Sequence, residues 1–237
     1  MISSIRFSAS NIAILAICWT LWSCSTGQPS FTYQPFNQSF TQKDQPEAAS
    51  GSTAKLGWAT RSFAVAAANP LATDAGYQIL KAGGSAVDAA IAVQLVLGLV
   101  EPQSSGIGGG AFLLHHNGQK TQAYDGRETA PSAVTENLFM KDGKPMGFDD
   151  AVVGGRSVGV PGTLSMLEMA HRQHGKLPWA SLFQPAIMLA NGGFSVSTRL
   201  HALIEADLHL KKDPVAKAYF YLPNGQALPV GYWLRNP

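Results

Sequence analysis

The sequence predicts an α+β fold, or a layered arrangement of helices and strands, from three observations. Helical and strand-like periodicities are mixed along one chain. The run AVDAAIAVQLVLGLV (86–100) is apolar nearly all round, so as a helix it must be central and buried. It leads into two strand-like runs, AFLLH and KTQAYD, and the Asn117-Gly118 pair between them is a strong hairpin signal. The 237 residues are 46% hydrophobic, enough for one sizeable core or part of a larger one. Charged residues make up only 14%, against a usual share of about 25%. Net charge is +2 without any Lys/Arg block, which argues against nucleic-acid binding.

Taken in order, the first residues read as an export signal. MISSIRFSASN carries Arg6 and no acid, and NIAILAICWTLW suits a signal core but is short for a membrane span. The core ends in Leu21-Trp22-Ser23-Cys24, which resembles a bacterial lipobox, so residues 1–24 are expected to be a lipoprotein-type signal with lipid on Cys24. An ordinary cleaved signal and an uncleaved anchor are the alternatives. Cys18 would leave with the signal, so the folded part would hold no disulfide. Residues 25–60 are rich in Ser, Thr, Gln, Pro and Asn without a period of 2 or 3.6, and read as a tether.

From Phe63 the character changes. FAVAAANP predicts a short buried strand and then a helix start, with Asn69 as N-cap and Pro70 in the first turn. That helix should run to Lys81 and stop at Gly83-Gly84. Ser85 and Asp88 form a capping-box-like start for the buried helix, and Glu101-Pro102 ends it. Residues 151–162, AVVGGRSVGVPG, read as strand and turn. TLSMLEMAHRQHG predicts an amphipathic helix closed by Gly175, and LFQPAIMLANGG another stopped at Gly192-Gly193. Ser197 or Thr198 should cap a last helix, RLHALIEADLHLKK. No closing element follows YWLRNP, and truncation is the expectation.

Several residues invite chemistry. The glycines of Gly106-Ile107-Gly108-Gly109-Gly110 follow a helix and open a strand, the reverse of a dinucleotide fingerprint. What remains is a plain turn, or a backbone that a substrate or another segment can approach closely. Gly155-Arg156-Ser157-Val158-Gly159 matches GxSxG, but Gly and Pro interrupt the helix that a nucleophile elbow needs. His171 and His174 share a helix face without a third metal ligand spaced to help them, so no metal is assigned. His115 and His116 should be solvated near the hairpin turn. Arg127, in YDGRETAP, falls just past the second strand. It is either an exposed arginine paired with Asp125 or Glu128, or a fork-shaped clamp for a carboxylate.

Five ordered stretches now resemble one family. They are ANPLATDAGYQILKAGGSAVDAAIAV, LVEPQSSGIGGGAFLL, YDGRETAP, GVPGT (159–163) and LFQPAIMLANGGF. Over residues 63–237 the chain looks like the N-terminal part of the large subunit of a γ-glutamyltransferase (γ-glutamyltranspeptidase, glutathione hydrolase). The resemblance implies an N-terminal nucleophile hydrolase fold, an αββα layered sandwich, incomplete in this chain. It also implies a precursor that cuts itself into large and small subunits. The family's D-x-R-E-x-A-P arginine binds the α-carboxylate of the γ-glutamyl group, which maps onto Arg127 as the substrate-binding residue. No cofactor is implied.

The family's nucleophile is a threonine that begins the small subunit. Its T-x-H motif is absent here, so the catalytic residue is expected beyond Pro237 and none is assigned in this chain. The expected partners are glutathione or other γ-glutamyl substrates, the small subunit of the same precursor, and a membrane through the lipid anchor. The expected location is exported, periplasmic or membrane-anchored in a bacterium. Two other readings stay open: an inactive lipoprotein remnant that binds γ-glutamyl compounds or a partner, and a related acylase acting on another amide.

Overall fold

The structure, a computed structural model, describes residues 59–237. The expected signal, Cys24 and nearly all of the 25–60 tether lie outside the described residues.

Two helices set the frame. Helix α1 spans Pro70–Lys81, with Asn69 Oδ1 accepting from the Leu71 N–H at 3.0 Å. Gly83 follows at φ 89°, a left-handed turn that a glycine adopts at little cost. Helix α2 spans Ala86–Val100 and opens with the expected capping box. Ser85 Oγ accepts from Asp88 N–H at 3.1 Å, and Asp88 Oδ2 accepts from Ser85 N–H at 2.8 Å. The two helices meet at Gly76, where an added Cβ would lie 2.7 Å from Val93 Cγ2. The same atom would lie 2.9 Å from Val65, in the segment expected to be a strand. Residues 63–68 do alternate half-buried and exposed, as a strand would. They pair with no other strand among the described residues, so the periodicity is satisfied by packing on α1 and α2 alone.

The hairpin forms where expected. Strand β1 (Ala111–His116) pairs antiparallel with β2 (Thr121–Gly126), from Ala111↔Gly126 to His116↔Thr121. Asn117 Oδ1 caps the turn by accepting from the Gln119 and Lys120 N–H groups. Period-2 alternation sends Ala111, Leu113 and Tyr124 inward onto a cluster with Ile91, Met166 and Ala170. The opposite face leaves Phe112 67% and Leu114 74% exposed.

Beyond the hairpin come a small ribbon, β3 (Met140–Lys141) and β4 (Lys144–Pro145), and the short helix α3 (Phe148–Val152). This corrects the reading of 151–162 as strand and turn. Asp149 and Asp150 suit a helix's first turn, and only Val160 pairs, through an isolated bridge to Thr129. Helix α4 (Thr163–His174) lies under the hairpin, and α5 (Gln184–Gly192) follows a 3-10 turn at Trp179–Phe183.

The C-terminal part wraps the other end of α2. Strand β5 (Phe194–Ser195) leads to helix α6 (Thr198–Ala206), capped by Ser197. Helix α6 is shorter than expected because Asp207 Oδ1 accepts from the His209 and Leu210 N–H groups and turns the chain. Nor is it the last helix, since Asp213 caps α7 (Pro214–Phe220) before β6 (Trp233–Leu234) pairs with β5. Val96 and Val100 join this second cluster with Phe194, Leu200 and Ile204, so α2 is shared by both halves of the core. The fold is α+β, with a helical layer on one face of the hairpin.

Candidate functional site

Arg127 emerges where strand, loop and helix converge. Strand β2 ends at Gly126, and the Arg127 N–H donates to Asp125 Oδ1 at 2.9 Å, a local turn that fixes the backbone direction. The next residues are held from the other side: Val160 N–H donates to Thr129 O at 2.9 Å. Arg127 therefore stands on a braced segment, yet its side chain is 71% exposed. It lines two adjoining cavities of about 510 and 500 Å³.

Of the two acids offered by the sequence, the structure divides the work. Asp125 holds the backbone of Arg127. Glu128 lies beside the guanidinium, with Oε2 3.9 Å from Arg127 Nε. At that separation and exposure the ion pair is loose, worth at most about 1 kcal/mol, and leaves the fork free for another carboxylate. The other oxygen of Glu128 does more. Oε1 accepts the Gly110 N–H at 2.7 Å, joining the arginine's segment to the glycine-rich loop.

The glycines are explained by that approach. At Gly110 an added Cβ would lie 2.8 Å from Glu128 N, and at Gly159 it would lie 2.8 Å from Glu128 Cβ. Another segment, not a nucleotide, lies against the bare backbone. The loop is anchored by one oxygen: Gly109 O accepts from Gly162 N–H and Thr163 N–H, both at 3.2 Å, and from Thr163 Oγ1–H at 2.9 Å. Thr163 is fully buried, so this contact ties the loop to the first turn of α4. At Gly162 a Cβ would fall 2.7 Å from Gly126 C, so α4 begins hard against the arginine's strand. Sequence reasoning singled out Arg127 but missed Glu128's bridge and Thr163. Glu128 adjoins Arg127 in the motif, but its tie to Gly110 is long-range, and buried Thr163 carries no sequence signal of its role.

The other candidates are placed elsewhere. Ser157 sits in a 3-10 turn at Gly155–Ser157, and its hydroxyl donates to Val152 O at 2.7 Å, which is a structural bond. His171 and His174 do not act together: His171 Nε2 meets Leu177 O at 2.9 Å, while His174 Nε2 meets Tyr124 Oη at 2.9 Å. No cluster of three or more His, Cys, Asp or Glu suited to a metal occurs among the described residues. His115 corrects the expectation of a solvated side chain. It is half-buried and stacks on His174 with centroids 3.9 Å apart. Burial, and then the neighbouring His174 and His116, push its pKa below the ordinary value.

Residues 72–237 match the γ-glutamyltranspeptidase family model. The glutathione hydrolase proenzyme of Bacillus subtilis (strain 168) is 41% identical over 170 residues, 70% of this chain and 29% of that protein. The crystal structure of Helicobacter pylori γ-glutamyltranspeptidase superposes with a TM-score of 0.71 at 30% identity, covering 76% of this chain and 52% of that one. A cephalosporin acylase from Bacillus halodurans gives 0.61 at 32% identity, over 78% and 36% of the two chains. The chain thus spans under a third of the length of its Bacillus subtilis relative.

Proposed function

The chain belongs to the γ-glutamyltranspeptidase family, and from that premise we propose that it supplies the carboxylate clamp of an enzyme that moves γ-glutamyl groups to water or to amino acids. Arg127 carries the reading. It is a permanent cation with a planar fork, standing free on a braced strand end, between two cavities of ligand size. A γ-glutamyl donor, glutathione or a similar compound, presents an α-carboxylate that two parallel N–H bonds would grip.

The nucleophile in this reading is a threonine at the start of the small subunit of the same precursor. Its hydroxyl oxygen attacks the γ-carbonyl carbon, and its own amine takes the proton. Hydrogen-bond donors stabilise the oxyanion, the leaving amine departs with the proton, and a γ-glutamyl ester remains. Water or an acceptor amine then attacks the ester and frees the threonine. Arg127 does not touch the reacting bond. It holds the glutamyl end so that the γ-carbonyl meets the nucleophile. The same reading keeps the protein exported, with lipid on Cys24.

The test is Arg127→Ala in the intact protein. Loss of a charge-assisted pair should lower kcat/KM for a γ-glutamyl donor by about 30- to 1000-fold, or about 2–4 kcal/mol. Arg127→Lys should restore only part, because lysine lacks the fork. A change of less than a few-fold would remove the clamp. Turnover of glutaryl amides in place of γ-glutamyl anilides would instead favour an acylase, a reading supported by the likeness to the Bacillus halodurans enzyme.

A further inference from the structure

The larger cavity holds a second arginine. Arg156 lines it together with Arg127, and much of the remaining lining is apolar, including Val134, Leu138, Phe139 and Val158. Arg156 is presented by a fixed turn. Gly154 adopts φ 102°, Ser157 Oγ–H is bonded to Val152 O, and Val158 N–H closes the 3-10 turn on Gly155 O at 3.3 Å. One guanidinium nitrogen, Nη1, donates to Leu138 O at 2.7 Å, which orients the group. Guanidinium has five N–H donors, so most remain unspent. No carboxylate pairs with Arg156 among the described residues. Glu128 is the cavity's sole acid, and one of its oxygens is bonded to Gly110.

We infer that Arg156 binds a second carboxylate, the C-terminal one on the leaving group of the donor. The inference rests on the γ-glutamyl reading of Arg127 and adds a preference, within that class, for γ-glutamyl peptides that end in a free carboxylate. A single-carboxylate ligand would engage one of the two cations and leave the other facing an apolar wall. A γ-glutamyl peptide carries an acid at each end with the scissile amide between them. Binding both ends fixes the amide between two anchors.

The experiment compares three donors in the intact protein: glutathione, its C-terminal amide, and γ-glutamyl-p-nitroanilide, which lacks any leaving-group carboxylate. The first two differ only in the charge at issue. Wild type should favour the acid over the amide by about tenfold in kcat/KM, the scale of one charge-assisted pair at a partly solvated site. Arg156→Ala should abolish that preference and leave the anilide unchanged, and Arg156→Lys should restore part of it. Arg127→Ala should depress all three donors together. If Arg156→Ala retains the preference, or lowers all three donors equally, the second anchor is wrong while the first stands. If Arg127→Ala leaves all three unaffected, the γ-glutamyl reading itself fails.

Discussion

Asp88 offers the sharpest test of how the scaffold is held. Its side chain is 0% exposed, and Oδ2 accepts three backbone N–H groups: Ser85 at 2.8 Å, Lys176 at 2.9 Å and Leu177 at 3.1 Å. One carboxylate therefore caps α2 and fastens the turn after α4. Asp88→Ala would orphan all three donors, each at a cost of about 1–2 kcal/mol. Relief of the buried charge offsets part of that sum, which leaves a net loss of about 3 kcal/mol. For a domain of this size the melting temperature should fall by about 6–12 °C. Asp88→Asn keeps an acceptor oxygen and should lose about half as much. Thermal unfolding followed by circular dichroism measures the shift, and hydrogen exchange at the Lys176 and Leu177 amides shows where it originates. A fall under about 2 °C with unchanged protection at those amides would refute the reasoning, whose minimum is one orphaned buried donor.

Two further outcomes can be checked. Burial, with His174 and His116 beside it, holds the folded His115 pKa below the ordinary histidine value of about 6.5, so just below pH 6.5 the unfolded chain binds more protons than the folded one. Stability should therefore fall as pH drops below 6.5, and His115→Phe should flatten that slope in melting curves taken from pH 7.5 to 5; parallel slopes would discount the stacked pair. In a bacterial host, fatty-acid label should enter the wild-type protein and not Cys24→Ser, and equal labelling would end the lipid-anchor reading.

Local chemistry was legible where one short stretch decides the outcome. Asn69-Pro70 and the Ser85/Asp88 box fixed two helix starts, and Asn117-Gly118 fixed the hairpin. Arg127 was legible as a fork beside acids, though the residues alone left it as loop charge or clamp, and the family likeness tipped the balance. What failed was decided by distant partners. FAVAAA has strand-like alternation, yet a strand needs a neighbour, and Val65 finds Gly76 and Val93 instead. His115 looked solvated because nothing nearby in sequence shows that His174 will stack on it. The Glu128–Gly110 bond crosses 18 residues, and the Thr163–Gly109 bond crosses 54. No periodicity or turn rule reaches that far.

That last bond has a consequence during synthesis. The carbonyl of Gly109 gains its three donors only from Gly162 and Thr163. At about 5–20 residues per second, the ribosome needs about 3–10 s to make the intervening 54 residues. For that interval the glycine loop lacks its brace, and Arg127, made partway through it, joins a loop not yet fixed, so the arginine's surroundings take shape only after α4 has begun to emerge.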